Sequence, residues 1–191
     1  MKKWNLPAFC ILLIACLGIN YLGSVLAYEL ALPVWLDSIG TVLAAYMCGP
    51  VIGALTGVTT NLIFHIVTGD NWIYAAVSIW VGLVVGMVSL KKQRRMSLFE
   101  ALTLSGVVAL GCTVIATPLS WYLNNGSTGN IWGDSVISFL MENGFSRLPS
   151  LVVGQLYMEL LDKVVVVLLI YLVAYFVFKR HNKKQKQLEA L

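Results

Sequence analysis

Long apolar runs with almost no charge inside them recur along this chain, and that feature constrains its fold most. They span about Phe9 to Tyr28, Pro33 to Cys48, Val51 to Thr68, Trp72 to Leu90, Leu98 to Tyr122 and Pro149 to Phe178. A helix needs about 20 apolar residues to cross a bilayer, and most of these runs approach that length. Inside lipid every backbone N–H and C=O must be paired internally, so only helices and closed barrels cross it. The runs are continuous and lack the ten-residue alternation of barrel strands, which selects helices. Composition agrees. Hydrophobic residues make up 59% of the 191 and charged residues only 12%, against about 25% charged in soluble domains. That balance excludes an ordinary soluble enzyme, a disordered chain and a disulfide scaffold.

The expected architecture is an all-α integral membrane protein, residues 1–191 forming a single membrane domain of six transmembrane helices. The second is the short one: at 1.5 Å per residue, 33–48 covers roughly 24 Å before Gly49-Pro50 breaks it. It reads either as a short span or as one arm of a re-entrant hairpin. The first run follows Lys2 and Lys3, and Val25 and Ala27 would fit a signal-peptide cleavage pattern. Its length is nearer a full span than a 7–15-residue signal core, so it is read as a retained helix. Ser97-Leu98-Phe99-Glu100 has the form of a capping box opening the fifth helix, and Pro118 predicts a kink within it. Residues 123–147 form an external loop. Its NNGSTGN stretch is a polar hinge, and Ile131 to Met141 carries Trp132, Val136, Phe139 and Leu140 near helical spacing, the pattern of a short amphipathic helix. A connection of this length is often a binding loop or lid.

Charge orients the molecule. Eleven of the thirteen basic residues lie in three groups: Lys2 and Lys3, Lys91 to Arg95, and Lys179 to Lys186. Cytoplasmic loops carry the Lys/Arg excess, so six spans place both termini, the 91–95 loop and the basic tail 179–191 in the cytoplasm. Glu29, Asp37, Asp70, Asp134, Glu142 and Arg147 fall on the other face. The net charge of +4 is thereby a topology signal, and no nucleic-acid partner is expected. Cys10, Cys16, Cys48 and Cys112 sit in apolar runs without metal-ligand spacing and read as packing residues.

No Gly-Lys phosphate loop, Gly-x-Ser-x-Gly elbow or His-Glu-x-x-His occurs, so neither ATP hydrolysis nor other catalysis is expected of this chain. No metal site or bound cofactor is expected either. Polar groups inside apolar runs are the stronger pointers to function. Asn61 and His65, four apart, share one helix face. Gln155 and Glu159 share another, followed by Asp162 and Lys163. Glu159 and Lys163 could equally form an i,i+4 ion pair that only neutralises the helix. Trp72, Tyr74, Trp121, Tyr122 and Trp132 suit an interfacial aromatic belt or stacking on a flat ligand. Gly49, Gly53 and Gly57 recur every four residues, as do Gly82 and Gly86. That spacing permits close helix approach, either within the bundle or against a partner helix.

The segment LPVWLDSIGTVLAAYMCGPVIGALTGVTTNLI, from Leu32 to Ile63, and ELLDK, Glu159 to Lys163, resemble the substrate-binding S components of energy-coupling factor (ECF) vitamin transporters. The size, the six-helix plan and the basic ends agree. The resemblance implies a subunit that captures a vitamin or related micronutrient from outside. It implies as partners a membrane T component and two cytoplasmic ATPase subunits, which use the ATP. It places the substrate near the outer face, on the last helix and the covering loop. The candidate substrate-binding residues are accordingly Asn61, His65, Trp121, Arg147, Gln155, Glu159 and Asp162, with Gly49, Gly53 and Gly57 as candidates for partner docking. The first helix lacks the Ala-x-x-x-Ala pattern often used by that family for docking. The alternative is a ligand-sensing membrane regulatory subunit of similar fold.

Overall fold

The computed structural model describes residues 5–92 and 96–188, with side chains through Phe176. Among the described residues there are seven α-helices and no strand: α1 Leu6–Glu29, α2 Ile39–Cys48, α3 Pro50–Thr68, α4 Ala75–Lys91, α5 Leu98–Leu123, α6 Ile131–Glu142 and α7 Arg147–Leu188. A single 3-10 turn, Trp72–Tyr74, leads into α4. Four segments are long and apolar enough to cross a membrane: Leu6–Glu29, Pro50–Thr68, Trp72–Lys91 and Leu98–Leu123. The protein is therefore read as a helical membrane protein. α7 carries Glu159, Asp162 and Lys163 within its apolar sequence. Lys2, Lys3, Arg94 and Arg95 lie outside the described residues, as do the side chains of the basic tail. The backbone of α7 continues as helix to Leu188, beyond the expected end at Phe178.

Local chemistry explains the helix limits. Ser97 Oγ accepts from the Glu100 N–H while the Glu100 carboxylate accepts from the Ser97 N–H, so the capping box is formed. Pro118 lies inside α5, which runs on to Leu123. α2 ends at Gly49, whose φ of 97° suits a residue without Cβ. Pro50 then opens α3, where its missing N–H costs nothing.

The second membrane segment is only half helix. After α1 the chain turns at Ala31 and descends as irregular backbone beside α1, then enters α2. Leu36 packs on Gly23, and Gly40 packs on the Cys16 carbonyl so closely that a Cβ there would lie 1.9 Å from its oxygen. The α2–α3 turn lies at the opposite end of the bundle, with Gly86 packed on Pro50 and Leu90 beside Gly49. The chain thus passes from one end to the other as loop plus short helix.

Asn20, fully buried in the middle of α1, joins three helices. Its Nδ2 donates to Thr41 Oγ1 at 3.0 Å and to Thr60 Oγ1 at 2.9 Å. Its Oδ1 accepts from the N–H groups of Gly40 at 2.6 Å and Thr41 at 3.4 Å. Ser38, the residue before α2, makes no side-chain cap. Asn20 therefore caps α2 from another helix, satisfying N–H groups that would otherwise be orphaned.

The glycine repeats serve internal packing. A Cβ on Gly53 would meet Ala45 and one on Gly57 would meet Ser78, while Gly82 lies against the Gly53–Ala54 backbone. Gly49, Gly53 and Gly57 are all buried within the bundle. A core of Val42, Ala45, Val81, Val85, Leu104, Val108 and Val166 joins α2, α4, α5 and α7. Large side chains such as Ile11, Ile14 and Val114 point outward, as lipid contact requires.

Asn20→Leu should destabilise the protein by roughly 2 kcal/mol, because it leaves buried polar groups of α2 and α3 without their partner. The readout is the thermal unfolding midpoint in detergent, with outward-facing Val114→Leu as the control. Equal midpoints for the two variants would refute the capping role of Asn20.

Candidate functional site

The end of the bundle where α1 and α3 finish and α4 begins encloses a cavity of about 330 Å³. That lies at the lower end of the range for small-molecule sites. Three irregular segments form its rim: 30–38, 69–74 and 124–130. The wall combines the aromatic rings of Tyr28, Trp35, Phe64 and Tyr74 with polar groups from every side, among them Asp37, Asn61, Gln155, Glu159 and Lys163.

Residues 155–163 of α7 form the deep wall. Lys163 Nζ donates to Asp162 Oδ2 at 2.6 Å and lies 3.4 Å from both Glu159 Oε2 and Ser38 Oγ. The sequence alternative of an i,i+4 Glu159–Lys163 pair is thus present, inside a larger cluster. Gln155 Nε2 donates to Glu159 Oε1 at 3.3 Å. Gln155 and Glu159 are only 2% and 3% exposed, yet Gln155 Oε1 and Glu159 Oε2 receive no hydrogen bond. Two buried acceptors facing a cavity without donors are costly unless something else supplies them.

Asp162 has a different task from the one expected. Its Oδ1 accepts from the N–H groups of Trp35 at 3.0 Å and Leu36 at 2.8 Å, and Oδ2 takes the Lys163 ammonium. Both oxygens are engaged by protein donors, and Asp162 is not in the cavity wall. It is a positioning residue that holds Trp35 and Leu36, the latter at a φ of 54° that a branched side chain adopts only under constraint.

The other candidates divide. Asn61 lines the cavity, donating to Ser78 Oγ at 2.8 Å and to the Gly57 carbonyl at 2.9 Å. His65 does not: it is exposed, and its Nδ1 lies 2.8 Å from the Asp70 carbonyl oxygen, closing the end of α3. Trp121 is exposed on α5 and absent from the wall. Arg147 is also outside it, and its guanidinium donates to the Asn125 carbonyl, tying the start of α7 to the rim. Trp35, Asp37, Tyr74, Asn130 and Lys163 were missed as site residues. Asp37 and Lys163 carried a signal, since each is a charge inside an apolar run. Tyr74 carried little, because an aromatic at a helix start also suits the belt; its hydroxyl lies 3.1 Å from Ser120 Oγ and accepts from Asn124 Nδ2 at 3.0 Å.

The 124–130 loop lines the cavity mouth, and α6 beside it packs on α7. Asp134, in the first turn of α6, accepts from Ser127 Oγ at 2.6 Å, from the Thr128 N–H at 2.7 Å and from Thr128 Oγ1 at 2.8 Å, which folds the rim loop back on the helix. Two bonds fasten it to the facing loop: Asn130 Nδ2 to the Leu32 carbonyl at 3.1 Å and Trp132 Nε1 to the Ala31 carbonyl at 2.7 Å. The buried face of α6 is Gly133 and Ile137, set against Gly154 and Met158 of α7. Of the apolar residues read from sequence, Val136 and Leu140 are partly buried, whereas Trp132 and Phe139 are exposed.

No family profile, no curated protein and no solved structure matches this chain. The site is therefore interpreted on its geometry and chemistry.

Proposed function

We propose that this chain is the membrane-embedded substrate-binding subunit of an ECF-type importer. It captures a vitamin or related micronutrient from outside for ATP-driven uptake by partner subunits. The observation that carries the reading is the cavity at one end of an apolar helical bundle, walled by rings and by two buried acceptors without donors. A ligand with polar hydrogens would complete the hydrogen bonding of such a wall. The sequence resemblance in 32–63 and 159–163 supplies the family, and the absence of a phosphate loop from the sequence leaves energy supply to a T component and two ATPase subunits. The chain itself is not an enzyme in this reading.

Six passes are proposed, with α2 and its preceding loop as the second and α7 as the sixth. Lys91 and Lys92 close α4 at the end opposite the cavity, so the positive-inside rule turns the cavity outward and both termini inward. Single cysteines introduced as Gln93→Cys and Ser127→Cys, in a background without the four native cysteines, test this with an impermeant thiol reagent on intact cells. Labelling at 127 and protection at 93 is expected; the reverse pattern would overturn the orientation.

Expressed alone, the protein should bind its substrate without ATP-dependent accumulation, and co-expressed T and ATPase subunits should confer uptake. ATP-driven uptake by the purified chain alone would refute the assignment, and co-purification of a signalling partner instead of ATPases would favour a sensor. The cover opens in this reading by breaking the bonds of Asn130 and Trp132 to the 31–32 carbonyls. Trp132→Phe removes one of them and should speed substrate release by roughly fivefold, for about 1 kcal/mol of lost hydrogen bonding. An unchanged release rate in stopped flow would leave the segment as a passive wall.

A further inference from the structure

The cavity wall has a charge imbalance that its own residues do not resolve. Asp37, Glu159, Asp162 and Lys163 are close enough to act on one another electrostatically, and together they carry three potential negative charges against one positive. Asp162 accounts for most of that one: it takes Lys163 Nζ at 2.6 Å and two backbone N–H groups, and it lies behind the wall. Glu159 receives the remainder, at 3.4 Å from Nζ and without a hydrogen bond to Oε2. Asp37 and Glu159 both line the cavity. Glu159 is buried with its one cation at 3.4 Å, and Asp37 is half-buried beside it, so a second cation entering the cavity would be attracted to both carboxylates.

A bare metal ion is a poor fit to that demand. Among the described residues no three His, Cys, Asp or Glu side chains converge closely enough to hold one. The remaining wall describes an organic cation. Trp35, Tyr74 and Phe64 line the cavity, and a cationic nitrogen or an electron-poor ring is attracted to aromatic rings of this kind. Gln155 Oε1 is a buried acceptor in need of a donor, and a protonated nitrogen supplies one. The volume of about 330 Å³ admits a molecule of one or two rings.

We infer that the ligand is a small aromatic or heteroaromatic molecule bearing a cationic nitrogen, which lies among the rings of Trp35, Phe64 and Tyr74 and directs its N–H donors at Glu159, Asp37 and Gln155. This rests on the cavity being the substrate site, and it narrows the substrate to one chemical class.

Benzamidinium, a planar aromatic cation, tests the class against neutral benzamide and anionic benzoate, which share its ring and size. Binding of each to the purified full-length protein in nanodiscs is measured by calorimetry near neutral pH. The expected result is roughly tenfold or greater preference for benzamidinium, reduced about tenfold by Glu159→Gln or by Asp37→Asn. Two variants are used because Glu159→Gln also removes a Lys163 partner; far-ultraviolet circular dichroism and the unfolding midpoint establish that each is folded. Equal binding of the three probes, preference for benzoate, or a benzamidinium preference untouched by both folded variants would overturn the inference. Native mass spectrometry of compounds retained through gentle purification separates it from the reading beneath it. A retained anionic or uncharged compound, lost in Gln155→Ala, would refute the cation while leaving a binding subunit. No retained compound together with no probe binding would remove both.

Discussion

The carboxylate of Asp162 is the contact on which the rest of this structure depends. Irregular backbone cannot lie beside an apolar span unless its polar groups are satisfied by protein, because lipid offers no hydrogen bonds. The 30–38 segment lies there, alongside α1, and two of its N–H groups end on Asp162 Oδ1. That contact holds Leu36 in a left-handed conformation and presents Trp35 and Asp37 to the cavity. Without it the segment has no reason to stay unwound, and with no unwound segment there is no rim on that side. The buried charge is in turn made tolerable by Lys163 and by the backbone donors, in keeping with the rule that buried ions persist only when paired and hydrogen-bonded.

Asn20 solves the complementary problem one level deeper. A helix that begins inside a membrane protein exposes N–H groups that no water can reach. α2 begins there because the loop uses up the first half of the crossing, and Asn20 from α1 supplies the acceptor for Gly40 and Thr41. Gly40 is required by the same arrangement, since its Cα rests on the Cys16 carbonyl. The unwound half and the short helix are thus two consequences of one choice, to place loop backbone at the site. Glycines on α3 and α4 then bring those helices together beneath the cavity, so their spacing serves the scaffold.

Function in such a design comes from what is left unsatisfied. The scaffold pairs Asp162, Asn20, Asn61 and Asp134 with protein donors, and leaves Gln155 Oε1 without one and Glu159 Oε2 with the Lys163 ammonium at 3.4 Å. At the mouth, Asn130 and Trp132 tie the 124–132 stretch to the 31–32 carbonyls, and Asn124 ties it to the Tyr74 hydroxyl.

Hydropathy and punctuation alone determined the membrane class, the helical character, the four long spans to within a few residues, the capping box at Ser97 and the short α6. These are local properties: run length, a capping side chain and a Gly-Pro break act through neighbouring residues. The polar groups within α7 were also legible, because a carboxylate in an apolar run stands out whatever surrounds it. Their roles were not. Asp162 and Glu159 look equivalent in sequence, but only the tertiary structure turns one towards the Trp35 and Leu36 amides and leaves the other facing a cavity. His65 and Asn61 share a helix face, yet α3 ends so near His65 that it meets the Asp70 carbonyl while Asn61 reaches Ser78. The glycine repeat predicts close approach without saying to what; the neighbours are α2 at Gly53 and α4 at Gly49 and Gly57. Whether a polar atom is satisfied depends on which donors arrive from distant segments, and that is decided by the packing of helices that are far apart in the chain.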